Sequence, residues 1–146
     1  MFNYKKFIFS TISFFVLTMA MAYPWHLIWF HEIYVSVGAV TRPEPIIPFG
    51  MLAVTIQGAV IAYLYPYFYR GGHPIAQGVK FSLIMGLMVY TVMIFATAAK
   101  MQIEPVSTFI MYGTAFSFIH FTVTGVALGL IYGRKIQSSK KEKKDD

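Results

Sequence analysis

The sequence contains no cysteine and little charge. Without cysteine it forms no disulfide and has neither a thiolate metal ligand nor a cysteine nucleophile. Charged residues make up 12% of its 146 residues, against about 25% in a typical soluble domain. The acids that precede the C-terminal tail are Glu32, Glu44 and Glu104, and none lies within an apolar run. No pattern of serine, histidine and acid suggests hydrolysis, so we assign no catalytic residue.

Long apolar runs dominate the chain, which is 57% hydrophobic with a mean hydropathy of +0.60. Four runs of about 20 residues are long enough to cross a bilayer. A helix satisfies its own backbone in lipid, so each run is predicted to be helical. The sequence predicts an all-α integral membrane domain over 1–137, an antiparallel up-and-down four-helix bundle, with spans over 7–30, 46–69, 79–99 and 107–132. The charged segment 138–146 is predicted to be a disordered cytoplasmic tail.

Lysine and arginine are distributed unevenly around the runs. With four spans, ten of the twelve share one side, and Arg42 and Lys100 lie on the other. The positive-inside rule then places both termini in the cytoplasm, in a bacterial inner membrane. The net charge of +6 lies at the edges of apolar runs, whereas a nucleic-acid-binding protein spreads its positive charge over a folded face. We therefore expect the lipid bilayer as a partner and no nucleic acid.

The first run has a second interpretation. Lys5 and Lys6, an apolar stretch and then Ala20-Met21-Ala22 resemble a signal peptide with its cleavage site. Apolar character continues to Phe30, which favours a retained span. The segment 31–45 that follows is rich in proline and predicts a stiff extended linker, with a short lid as the alternative.

Glycine spacing marks helix faces built for close contact. Gly125, Gly129 and Gly133 recur every four residues in the last run, and Gly78, Ser82 and Gly86 form a related stripe in the third. Small residues at this spacing let another backbone approach closely in a membrane. The partner helix is either part of the same chain or part of a second copy, so a homo-oligomer or a larger membrane complex is an expected partner.

The opposite face of the last run is polar and centres on His120. Ser117, His120 and Thr124 share it, and Gln57 and Tyr90 lie at a similar depth by residue count. An ionisable side chain at mid-membrane suggests a functional site. The simpler interpretation is a neutral histidine that hydrogen-bonds to Gln57, Tyr90 or Thr91 across helices. Both interpretations stay open.

Haem and metal sites are not favoured by the histidine positions. Two axial histidines need a similar depth, whereas His26 and His120 differ by roughly 10 Å at a rise of about 1.5 Å per residue. His26 and His31 with Glu32 match no ligand motif. We predict no cofactor and no metal.

The segments Tyr23-Pro24-Trp25-His26, 78–86 and 125–133 resemble small bacterial four-span integral membrane protein families of unknown function. The resemblance implies a topology and no activity.

Three function hypotheses follow. The preferred one is a non-enzymatic protein of packing or assembly, suggested by the glycine stripe. The alternative is a small transporter or channel-like protein with a polar midplane site. The third is a redox or enzymatic membrane subunit with His120 as a ligand.

Overall fold

The chain folds into long helices that begin and end near the predicted span boundaries. In the computed structural model, backbone is described for residues 3–40 and 42–142 and side chains to Gly133 with the same gap. The elements are α1 (Tyr4–Pro24), the π-helical segment π1 (Trp25–Trp29), α2 (His31–Ser36), α3 (Ile47–Phe68), α4 (Pro74–Tyr90), the π-helical segment π2 (Thr91–Ala96) and α5 (Val106–Glu142).

Four of the helical stretches are long and apolar enough to cross a membrane. They cover Tyr4–Trp29, Ile47–Phe68, Pro74–Ala96 and Val106–Gly133. The predicted all-α fold with four spans is thereby confirmed. Helix α5 continues past the last span to Glu142. Residues 143–146 of the predicted disordered tail lie outside the described residues, so its disorder stays a prediction.

Local sequence signals set the helix boundaries. Asn3 Oδ1 accepts a hydrogen bond from the Lys6 backbone N at 3.0 Å and caps α1. Helix α4 begins five residues before the predicted boundary because Pro74, a residue that suits the first helical position, opens it. The turn before it contains Gly71 and Gly72 at φ 89° and 88°, a conformation that favours glycine.

The segment 31–45 differs from the predicted linker, since its first part is the short helix α2. Tyr34 and Val37 are buried there against Ile103 and Phe109. The backbone N of Glu104 donates to the carbonyl of Val37 at 3.0 Å. These contacts hold α2 over one end of the bundle, which we call the α2 end; the other end carries Asn3 and the turn between α3 and α4.

The helices pack unevenly. Helices α4 and α5 pack most extensively, α1 packs on α3 and α5, and α3 touches α4 and α5 little. Two clusters of buried side chains result. The first contains Phe14, Ile61, Tyr65, Phe81, Phe121 and Leu128, and the second contains Tyr34, Val37, Ile94, Ile103 and Phe109. A cavity separates the two clusters.

Candidate ligand-binding site

A cavity of about 520 Å³ lies between α1, α3, α4 and α5 on the α2 side of His120. Phe121 of the first cluster and Tyr34, Ile94 and Phe109 of the second line it. Its wall is mainly apolar and includes seven side chains with polar groups besides Tyr34: Thr18, His26, Gln57, Tyr90, Thr97, Ser117 and His120. A mostly apolar cavity with a few polar groups is typical of small-molecule sites.

The two π-helical segments contribute to the same cavity. Segment π1 provides His26 and Leu27, and π2 provides Met93 and Ile94. A π-helix contains more residues per turn than an α-helix and is found frequently at functional sites. Pro24, which has no backbone N–H to donate, lies directly before π1.

His120 lies on the floor of the cavity and is 4% exposed. Its Nε2 lies 2.8 Å from Oγ1 of Thr18 on α1. The ring of Phe116 stacks on the imidazole at 5.5 Å between centroids and 4° between planes. Phe14 and Phe121 meet the imidazole edge to face, with centroids 5.4 and 4.7 Å away. The aromatic rings and Thr18 together fix the orientation of the imidazole.

Thr18, rather than Gln57, Tyr90 or Thr91, is the hydrogen-bond partner of His120. Tyr90 pairs instead with Thr114, hydroxyl to hydroxyl at 2.8 Å. Thr91 donates to the carbonyl of Met88 within its own helix. Residue count gives depth but no helix rotation, so the sequence analysis did not identify Thr18 as the partner. The signal was present, since Ser10, Phe14 and Thr18 recur every four residues and are all buried.

Four of the five residues proposed for the midplane site line the cavity: Gln57, Tyr90, Ser117 and His120. Thr124 does not. It is buried below His120, donates to the His120 carbonyl at 2.9 Å and contacts the Ser82 hydroxyl at 3.1 Å. Thr124 therefore joins α4 to α5 and contributes no wall to the cavity.

His26, which the sequence places nearer the membrane surface, lines the same cavity as His120. Both imidazoles contact Phe116, at 4.6 Å for His26 and 5.5 Å for His120. The predicted difference in depth therefore does not separate the two histidines into different sites. No group of three or more His, Cys, Asp or Glu residues suited to a metal occurs within the described part of the chain.

The glycine stripes lie where α4 and α5 cross. A methyl group at Gly125 would lie 2.6 Å from Cα of Val79, and one at Gly129 would lie 2.6 Å from Cα of Ile75. Gly78 faces the backbone of Gly125 and Gly129 in return. At the two remaining glycines an added methyl group would meet a side chain. At Gly133 it would meet Pro74, and at Gly86 it would meet Phe121. These contacts are all within the chain.

No charged side chain lines the cavity in the described part of the chain. Just outside the spans, Tyr34 closes the cavity from the α2 side, and burial raises the pKa of its phenol. Its hydroxyl accepts a hydrogen bond from Nε1 of Trp25 at 3.2 Å. The site is therefore electrically neutral and apolar, with hydrogen-bonding groups at a few fixed positions.

The chain matches no protein-family model, and comparison with curated proteins and with solved structures yields no significant match. The function of the chain is therefore inferred from the geometry of its cavity.

Proposed function

We propose that this chain is an integral membrane protein that binds a small, uncharged and largely apolar molecule in the His120 cavity, as the binding step of a small transporter. The observation that carries the proposal is the cavity of about 520 Å³ with polar groups from all four spans on its wall. Small-molecule sites typically measure about 300–1,000 Å³ and combine an apolar lining with a few polar groups.

The lining supports an uncharged ligand. None of the described lining residues is Asp, Glu, Lys or Arg. A charged molecule would enter this region without an opposite charge to pair with, and burying an unpaired charge is costly. A neutral molecule pays no such penalty and gains from contact with the apolar wall.

Exposed lining residues indicate a way in. Val40 and Met93 line the cavity and are 38% and 59% exposed. Gly50, in the first turn of α3, also lines it and is exposed. Because α3 packs mainly on α1, the proposed entrance lies between the start of α3 and π2.

The assembly hypothesis has less support than it had from the sequence. Its motivating feature was the glycine stripe, and those glycines are occupied by contacts between α4 and α5. No observation on the described residues favours an oligomer or a redox subunit, and both stay predictions.

We further propose that the membrane is the bacterial inner membrane with both termini in the cytoplasm. The support is the excess of lysine and arginine at the end of the bundle that carries the termini. In this orientation the cavity occupies the outer half of the membrane.

Native mass spectrometry of the protein released gently from nanodiscs tests the binding proposal. We expect wild-type protein to retain an added mass, or to acquire one when incubated with 6-fluoro-2-naphthol. Gly50→Trp should abolish it, because Gly50 lines the cavity and a Cβ added there meets no atom within 4 Å, so the bulky side chain can be introduced without a clash at its Cβ.

Leu52→Trp is the matched control, since Leu52 is 57% exposed on the same helix and does not line the cavity. It should keep the added mass. A wild-type chain that neither retains nor acquires a molecule contradicts the proposal, as does retention by Gly50→Trp.

A further inference from the structure

We infer, on the basis of the proposed function, that the ligand carries a hydrogen-bond donor, a hydroxyl or an N–H, that binds to Nδ1 of His120. Thr18 sets this preference from the neighbouring helix. It is a positioning residue, because it acts through the imidazole and needs no contact with the ligand.

The Thr18 hydroxyl has one hydrogen and two neighbours. Its Oγ1 lies 2.7 Å from the carbonyl oxygen of Phe14, one turn earlier in α1. The same Oγ1 lies 2.8 Å from Nε2 of His120. A carbonyl can only accept, so the hydroxyl donates to Phe14 and its oxygen accepts from the imidazole. Both hydrogen bonds form only when the hydrogen of the neutral imidazole is on Nε2.

This tautomer makes Nδ1 an acceptor. In a neutral imidazole one nitrogen donates and the other accepts. Nδ1 has no hydrogen-bond partner among the described residues, and the His120 ring, 4% exposed, lines the cavity. An acceptor at the cavity wall without a protein partner is available to a ligand, and a ligand with a donor can bind to it. A ligand that presents only a carbonyl or ether oxygen does not.

The surrounding rings prevent the imidazole from adapting. Phe116 stacks on one face, and Phe14 and Phe121 meet the ring edge to face. A flip of the ring about its Cβ–Cγ bond would place Cε1 where Nε2 now lies and would break the bond to Thr18. The acceptor therefore stays in one place.

A second polar contact is available on the same wall. The side chains of Gln57 and His26 line the cavity, and neither makes a hydrogen bond within the described residues. The inferred ligand is thus a neutral molecule with an apolar body, a donor group at His120 and room for one further polar group. Phenols and alcohols have this chemistry.

A matched pair of probes tests the inference. 6-Fluoro-2-naphthol and its methyl ether differ by the donor hydrogen, and ¹⁹F NMR of nanodiscs reports the binding of each. Empty nanodiscs give the partitioning of each probe into lipid. After that correction we expect the naphthol to bind roughly three- to tenfold more tightly than the ether, the effect of one hydrogen bond.

The outcomes separate this inference from the proposed function. Equal binding, or a preference for the ether, overturns the inference while the binding proposal stands. Failure of both probes to bind overturns the inference, and it overturns the proposed function as well when the wild-type chain also retains no added mass.

Variants of Thr18 provide the second test. Thr18→Val keeps the shape of the side chain and removes the hydroxyl, so the imidazole is free to place its hydrogen on Nδ1. We expect the preference for the naphthol to fall below about twofold, because Nδ1 can then also donate to the oxygen of the ether. Thr18→Ser should restore the preference. Thr55→Val is the control, since Thr55 is exposed and donates to the Met51 carbonyl within α3.

¹⁵N NMR of histidine-labelled wild-type protein gives a readout of the tautomer in the unaltered site, without any substitution at Thr18. The His120 signal, assigned with His120→Gln, should show a protonated Nε2 and an unprotonated Nδ1. The opposite tautomer overturns the inference, as does a naphthol preference that persists in Thr18→Val.

Discussion

The hydroxyls of Ser82 on α4 and Thr124 on α5 lie 3.1 Å apart, and their side chains are 0% and 1% exposed. Thr124 already donates to the carbonyl of His120 at 2.9 Å. Its oxygen therefore accepts a hydrogen bond from the Ser82 hydroxyl, so the Thr124 hydroxyl is both a donor and an acceptor. This pair joins the two helices that pack most closely.

A double-mutant cycle on this pair should show coupling. We expect Ser82→Ala and Thr124→Val to lose less stability together than the sum of their separate losses, with a coupling of about 1 kcal/mol, as for polar pairs between membrane helices. Unfolding in mixed micelles measures the free energies. Additive losses would show that the two hydroxyls do not stabilise the α4–α5 contact.

Substitution in the glycine stripe should destabilise the fold of the single chain. At Gly129 an added side chain meets the Ile75 backbone, so Gly129→Ile forces the helices apart and should cost about 2 kcal/mol or more. The melting temperature in detergent measures the loss. Gly50→Ala, where the added methyl group meets nothing within 4 Å, is the control and should differ little from wild type. A Gly129→Ile protein as stable as that control would show that Gly129 does not lie in close contact with the Ile75 backbone.

Topology can be tested on the wild-type background because the chain contains no cysteine. In intact cells, a membrane-impermeant maleimide should label Ser36→Cys, at the end of α2. His73→Cys, in the turn between α3 and α4, should react only after the cells are opened. Both positions are exposed. The reverse labelling pattern would invert the proposed orientation.

Stability at high pH should depend on Tyr34. Burial raises the pKa of this phenol above its ordinary value of 10.0. The folded state therefore holds its proton more strongly than the unfolded state does. The contribution of Tyr34 to the free energy of unfolding is fully present below pH 10 and is lost as the pH rises through the folded-state pKa.

The comparison is between wild type and Tyr34→Phe. Wild-type protein should lose more stability than the variant between pH 9 and pH 11, measured by thermal unfolding. Taking the difference removes the contributions of the other tyrosines. A variant with the same pH dependence as wild type would show that Tyr34 does not titrate differently on folding.

The fold was predictable because lipid imposes one strong rule on sequence. Runs of about 20 apolar residues must be helices, and the four predicted spans match the four apolar helices within a few residues, apart from the start of α4. The helix α2 was harder to predict. Six residues are too few for periodicity to reveal a helix, and the contacts that bury Tyr34 come from Ile103 and Phe109, which are distant in sequence.

The polar wall of the site was partly predictable for a similar reason. Residue count predicts which side chains lie at a similar depth in a membrane. On this basis the sequence grouped four residues that all line the cavity: Gln57, Tyr90, Ser117 and His120. Residue count gives no rotation of one helix against another. For this reason it did not reveal Thr18 as the partner of His120, or the exclusion of Thr124 from the cavity.

The position of the cavity at one end of the bundle has a consequence for exchange. Below His120 the first cluster fills the bundle with Phe14, Tyr65 and Phe81, each no more than 3% exposed. A molecule in the cavity therefore has one leaflet and one aqueous face within reach, and it leaves toward the face from which it came. Under the proposed function, the protein in this conformation would exchange its ligand with a single side of the membrane. Passage to the other side requires the aromatic cluster to separate, and that step would then limit the rate of any net flux.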